Sequence, residues 1–430
     1  MLISLKVKNF RSIREDIVLN MEESPKCKDD LASNSVVNGR LSLLTSAIIY
    51  GRNSAGKSNI LKAFRAIEFL VKNSDKFKHH EKIRPYEPFL FDKSYNNKNV
   101  EFEICFIAEN NLKYKYDIKY NKDKITYEAL YFYPKGFQAK LFERELDSFD
   151  FGEYYRGEKQ AIIDGILPNQ LFLSKSSNKN IIYLKEAYLF FISKLKVSTF
   201  HDTEYDNTLI RAFSEMMVDD KEILENIKIL LKAADTNILD FNIVKNDQTK
   251  FKFPDNIPNE VQQELKERYK YEVKTNHPVF ENGKNIGSEE LLLQEESLGT
   301  KKLLAIGGLI VTTLRNGGVI VIDELDKSLH PLVTKLLVSL FNSKDNNPNN
   351  AQLIFATHDS SLLDNELFRR DQVFFVEKEY EGNTILFRLS DINGVRKDVP
   401  FDKWYLSGRF RAIPVISNIC LIYKKNAAGN

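Results

Sequence analysis

The sequence predicts an α/β protein in which a mostly parallel central sheet is accompanied by an antiparallel β meander and a helical insertion. Three observations carry this expectation. The apolar segment Ser46 to Tyr50 runs straight into a glycine-rich loop and then into a stretch of helical spacing. From Gly287 to about Leu389, helical and strand patterns alternate, and the strands are nearly continuous in apolar residues, as in a parallel sheet covered on both faces. Val100 to Ile107, Leu112 to Tyr120 and Ile125 to Phe132 are rich in Phe, Tyr and Ile and are separated by turn residues such as Asn110, Asn111 and Asn121.

Taken in order, Leu2 to Phe10 alternates apolar and polar residues, and an apolar run resumes at Ile17 to Met21, so a β-hairpin opens the chain. Cys27 to Arg40 is polar and reads as loop. Lys57 to Val71 carries Ile60, Leu61, Phe64, Ile67 and Leu70 on one helical face. Lys72 to Lys82 is a basic connector, expected to be a solvated loop rather than a nucleic-acid contact. Helices are expected over Asn180 to Leu195, Thr208 to Met217, Lys221 to Ala234 and Asn259 to Tyr269. Helix Lys301 to Leu314, strand Val319 to Ile322, helix Pro331 to Phe341 and strands Gln352 to Ala356 and Val373 to Val376 follow. The expected partition is an N-terminal lobe over residues 1–135, a mainly helical insertion over 136–284 and a C-terminal lobe over 285–430.

The 62 basic and 60 acidic residues nearly cancel, leaving +2, so a molecule-wide surface for nucleic acid or membrane is not expected. Cys27, Cys105 and Cys420 are too scattered for a disulfide framework or a zinc site, which points to a reducing cytoplasm. The N-terminus lacks a signal-peptide core, and no apolar run is long enough to span a bilayer.

Four motifs carry chemistry. Gly51-Arg52-Asn53-Ser54-Ala55-Gly56-Lys57-Ser58 fits G-x-x-x-x-G-K-[ST] between a strand and a helix. Its glycines let backbone N–H groups close around phosphates, Lys57 would reach the β- and γ-phosphates, and the Ser58 hydroxyl would hold Mg²⁺. The strand Gly317 to Ile322 ends in Asp323 and Glu324, placing two acids at the carboxyl edge of the sheet, where ligands of open α/β folds bind. Asp323 suits Mg²⁺, and Glu324 suits activation of a water. Phe355-Ala356-Thr357-His358 brings a histidine to the same edge, where its imidazole can hydrogen-bond the γ-phosphate. Finally, Ser297-Leu298-Gly299-Thr300-Lys301 precedes a long helix; it is a second potential phosphate receptor, or an N-cap at Ser297 or Thr300, and both can hold at once.

In this order and separation the four motifs resemble the Walker A, signature, Walker B and switch-histidine set of ABC-type ATPases. More closely, the chain resembles the RecF/SMC-like branch found in bacterial phage-defence ATPases of the abortive-infection, RloA and OLD types. The opening Lys8-Asn9-Phe10-Arg11-Ser12, the block Pro88-Phe89-Leu90-Phe91 and the closing Tyr405-Leu406-Ser407-Gly408-Arg409-Phe410-Arg411-Ala412-Ile413-Pro414 are similar to that group as well. The resemblance implies an ATP- and Mg²⁺-dependent ATPase that forms a homodimer or higher oligomer, with Ser297 and Gly299 of one copy touching the γ-phosphate held by Lys57 of the other. It implies that Asp326 crosses the dimer interface, that Arg11 and Asn59 approach the nucleotide, and that His330 is structural or interfacial. Ser-Leu-Gly-Thr-Lys in place of the Leu-Ser-Gly-Gly-Gln of transporters weakens a transport role, and the strands from Val100 to Phe132 hold no glutamine for the usual coupling loop. The residues beyond His358 leave no room for a TOPRIM nuclease, so an effector, a nuclease or toxin, is expected on a separate polypeptide. The alternative expectation is a RecF-like DNA-repair clamp; nucleic acid is possible for either reading but required only for the second.

Overall fold

The computed structural model describes every residue except 29, 200–202, 235–236, 248–250, 252, 255 and 414–430. Pro414 and Cys420 therefore lie outside the described residues. The central sheet has six strands in the order Leu195–Ser198, Val319–Ile322, Gln352–Ala356, Ser46–Gly51, Val373–Lys378 and Thr384–Arg388. The first five are parallel and the last is an antiparallel edge. All residues of Ser46–Gly51, Val319–Ile322 and Gln352–Ala356 are buried, which explains why these strands read as continuous apolar runs.

The opening hairpin forms as expected, with Leu2–Lys8 antiparallel to Ile17–Asn20. It does not stand alone. Leu2–Lys8 also pairs with Val100–Ile107, so the hairpin and meander make one antiparallel sheet of seven strands. The meander is also longer than expected, because Ala139–Glu145 and Ser148–Phe151 extend it past residue 135. Helix Lys57–Asn73 lies between the two sheets; its Ile60, Leu61, Phe64 and Ile67 share one core with Leu5, Phe102 and Phe106 and with Ile49 and Val321. The opposite face of the parallel sheet is covered by helices Thr203–Asp219, Lys221–Ala233, Leu298–Asn316 and Pro331–Asn342.

Residues 136–284 contain helices over the expected segments together with strands that were not expected. Helix Ile182–Leu189 ends in a π-turn, Phe190–Lys194, and hands over to Leu195–Ser198, an edge strand of the central sheet. Asp240–Lys245, Tyr271–Glu281 and Lys284–Leu292 form a separate three-stranded antiparallel sheet. Within the supposed loop 27–40, Ser35–Asn38 pairs with Leu41–Leu44 as a short hairpin. Among the described residues, no helix is long and apolar enough to cross a membrane.

Candidate functional site

The parallel register brings three strand ends to one edge: Ile322 lies opposite Phe355, Ala356 opposite Ile49, and Val376 opposite Gly51. The chain leaves this edge at Gly51, at Asp323 and at Thr357-His358. The Gln352–Ala356 strand separates the glycine-loop strand from the acid-bearing one, and this spacing leaves room between Gly51 and Asp323.

The loop after Gly51 depends on its glycines. A Cβ on Gly51 would stand 2.5 Å from the carbonyl oxygen of Val376, and one on Gly56 would collide with Thr384 and stand 2.9 Å from Ser12 Oγ. Gly56 also sits at φ +119, a conformation L side chains rarely adopt. Ser54 takes the left-handed region at φ 63. Lys57 opens the following helix and folds back into the loop: its Nζ donates to the carbonyls of Gly51 at 2.8 Å and Arg52 at 3.4 Å, and lies 3.4 Å from His358 Nδ1. Gly51, Ala55, Gly56 and Lys57 are buried, Arg52, Ser58 and Asn59 are half-buried, and Asn53 and Ser54 are exposed.

The acids converge on Lys57. Asp323 is buried, with its amide donating to Ser198 O at 3.1 Å. Burial pushes the Lys57 ammonium down to about 8, opposed by the attraction of Asp323, Glu324 and Asp326. Burial and then Lys57 push His358 below its ordinary value, while the same three acids pull the other way. Lys57, Asp323, Glu324, Asp326 and His358 thus form one electrostatic cluster. Glu324 holds φ 45, an uncommon conformation for a non-glycine residue. Asp326 is half-buried, its Oδ1 is enclosed without a hydrogen-bond partner, and it lies within electrostatic reach of Tyr50.

Arg11 lies beside the first turn of the helix that follows the loop. It forms an ion pair with Glu87, donates to Asn59 Oδ1 at 3.4 Å and takes φ 54. Beside it Asn59 meets Ser12 and Thr384, and Thr384 was not singled out from the sequence. Ser12 Oγ hydrogen-bonds Thr384 Oγ1 at 2.7 Å and accepts from Asn59 Nδ2 at 2.7 Å, while Thr384 Oγ1 is 2.8 Å from the carbonyl of Ala55. The opening hairpin and the edge strand therefore clamp the glycine loop from outside. Isolated serines and threonines carry no motif; the only sequence signal was Ser12 next to Arg11.

Ser297 and Gly299 lie at the N-terminus of helix Leu298–Asn316. Ser297 caps helix Leu298–Asn316, accepting from the Thr300 amide at 3.1 Å, and is exposed. Gly299 is half-buried, and a Cβ there would come within 3.0 Å of the carbonyl of Ser328. Among the described residues, no hydrogen bond joins either one to the Gly51–Ser58 loop. His330 caps helix Pro331–Asn342 through Nδ1, a structural role.

A parallel sheet with a strand–glycine loop–helix unit, an acid-ended strand and a clustered lysine defines a P-loop AAA-type domain. The chain belongs to the family whose model is described as "AAA domain, putative AbiEii toxin, Type IV TA system", matched over residues 46–364. Among solved structures, the SMC head domain from Thermotoga maritima aligns with a TM-score of 0.40 at 12% identity, covering 90% of this chain and 98% of that one. The Smc head domain bound to the C-terminal domain of ScpA derived from Pyrococcus furiosus gives 0.39 at 14%, covering 90% and 96%. The recombination mediator RecF, in its ATPrS structure, gives 0.36 at 14%, covering 90% and 98%. Likeness at this level says nothing about what this chain binds. A search of curated proteins by sequence gave no match.

Proposed function

We propose that this chain is an ATPase that binds Mg²⁺ and ATP at the Gly51–Ser58 loop, and that ATP-driven pairing of two copies controls a separate effector protein in defence against phage. The observation that carries this reading is the meeting of Lys57, Asp323, Glu324 and His358 at one sheet edge. The loop amides, Lys57 and the helix N-terminus suit the phosphates of ATP. Arg11, Arg52, Asn53, Ser54, Ala55, Gly56 and Asn59 complete that wall. Ser58 and buried Asp323 supply two hard oxygen donors, a set that fits Mg²⁺, which keeps water and phosphate oxygens for the rest of its shell. The ion, when bound, supplies charge neutralisation at the phosphates. Glu324 orients the attacking water and takes its proton; His358, held neutral at pH 7 by burial and by Lys57, donates to or accepts from the γ-phosphate side.

Among the described residues, Ser297 and Gly299 make no hydrogen bond to the Gly51–Ser58 loop of their own chain, which leaves them for a nucleotide held by a second copy, with Asp326 between the two. The family description, a putative toxin of a two-component toxin–antitoxin system, is consistent with action alongside a partner protein. The near-neutral net charge weighs against a DNA clamp, which needs clustered Lys and Arg to neutralise phosphates. The test is a pull-down of tagged Glu324→Gln, held in ATP, from its native host, with mass spectrometry and a nuclease-treated control. A stoichiometric protein that survives nuclease is expected. Recovery of nucleic acid, with every protein lost on nuclease treatment, would contradict the effector reading.

A further inference from the structure

The segment just before Ser297 is gripped by the three-stranded sheet. Glu296 has a nearly buried side chain, 9% exposed, and its Oε1 meets two groups of strand Tyr271–Glu281: His277 Nε2 at 2.6 Å and the Thr275 hydroxyl. Thr275 is itself buried. A carboxylate held by two donors in a water-poor site has one preferred position, because losing either donor leaves a desolvated charge undersatisfied. Glu296 is bonded directly to the cap residue, so fixing its side chain fixes where the chain enters helix Leu298–Asn316, and with it the Ser297 hydroxyl.

The same helix is fastened to helix Thr203–Asp219 at two further places. Buried Lys302 pairs with Asp206 at 2.9 Å. Gly308 lets the ring of Phe213 approach so closely that a Cβ would stand 2.5 Å from it. The strand Lys284–Leu292, by contrast, is exposed at every residue and forms the free edge of the three-stranded sheet. One end of this sheet is thus solvent-facing, and its central strand holds the Ser297 segment.

We propose that His277 and Thr275 are positioning residues: through Glu296 they set the Ser297–Gly299 segment, and strands 271–292 are the element whose position is read out at that segment. This rests on the proposed reading of Ser297 and Gly299 as groups acting on the nucleotide of a second copy. It predicts a division between binding and turnover, because the partner of His277 is Glu296 and not a residue of the Gly51–Ser58 loop.

The experiment compares wild type, His277→Ala, His277→Gln, Thr275→Val and Lys57→Ala for affinity toward a fluorescent ATP analogue, steady-state ATP turnover and denaturation midpoint. Wild type is expected to hydrolyse ATP and Lys57→Ala to bind and hydrolyse none. His277→Ala keeps affinity within about twofold of wild type while its turnover falls about tenfold or more. His277→Gln, which retains a donor toward Glu296, recovers most of that turnover, and Thr275→Val falls between. The positioning role is overturned if His277→Ala turns over like wild type, or if its affinity, turnover and denaturation midpoint all fall together and His277→Gln recovers none of them. An inactive wild type, or an active Lys57→Ala, instead removes the underlying nucleotide reading, and the positioning role goes with it.

Discussion

Lys57 is placed where burial works against its own charge. Its ammonium is held down to about 8 from an ordinary 10.5, mainly by loss of water. The sign of the consequence follows from linkage: a base whose folded value lies below its unfolded one costs stability while charged, and that cost is relieved as the pH rises from about 8 toward 10.5. Lys57→Met therefore stabilises the nucleotide-free protein at neutral pH, by on the order of 1–3 kcal/mol, while abolishing ATP binding; urea denaturation and a binding titration check the two halves. Bound phosphates favour the charged lysine, so its value rises in the complex. Affinity for MgATP is then independent of this group below pH 8 and falls as the pH is raised through about 8, because binding must take up a proton. A series of affinities across that range tests the sign. His358 is kept neutral at neutral pH by burial and by Lys57, so His358→Gln leaves ATP affinity nearly unchanged and lowers turnover, by roughly 10–100-fold, as read from parallel binding and rate measurements.

At the scale of elements, the close approaches are the sensitive points. Gly56→Ala forces a Cβ into Thr384 and Ser12 and strains a backbone at φ +119. A loss of about 1–3 kcal/mol in denaturation, together with weakened nucleotide binding, is expected. Gly308→Ala drives a methyl into the Phe213 ring and costs about 1–3 kcal/mol. Combining it with Phe213→Leu recovers part of that loss, and a double-mutant cycle measures how much. What the sequence disclosed follows the same physics. Buried strands such as Val319–Ile322 and the glycine loop announced themselves, because full burial demands apolar runs and phosphate-cradling geometry demands glycine at fixed positions. Strand Leu195–Ser198 is hidden because its four residues follow directly on a helical segment, whose expected end at Leu195 overlaps the strand's first residue. Strands Tyr271–Glu281 and Lys284–Leu292 were hidden because one is half-exposed and the other fully so, leaving no apolar period to read. The Ser12–Asn59–Thr384 clamp joins residues from three distant stretches, and only the folded sheets bring them together.

The whole molecule is a parallel sheet with its reactive edge at Gly51, Asp323 and His358, one face covered by helices and the other by helix Lys57–Asn73 and the seven-stranded sheet. In the proposed function, the reactive edge of one copy is completed by Ser297 and Gly299 of another. Glu324→Gln is then expected to accumulate as an ATP-dependent dimer in sedimentation, while Lys57→Ala stays in its nucleotide-free state of association under the same conditions. The most direct test of the central claim is single-turnover hydrolysis of radiolabelled ATP by wild type and Glu324→Gln, with binding measured on the same samples. Equal binding, with the cleavage rate of the variant reduced about 100-fold or more, is the predicted result. Cleavage by Glu324→Gln at the wild-type rate would remove Glu324 from the chemistry and contradict the account of the sheet edge as a site of ATP hydrolysis.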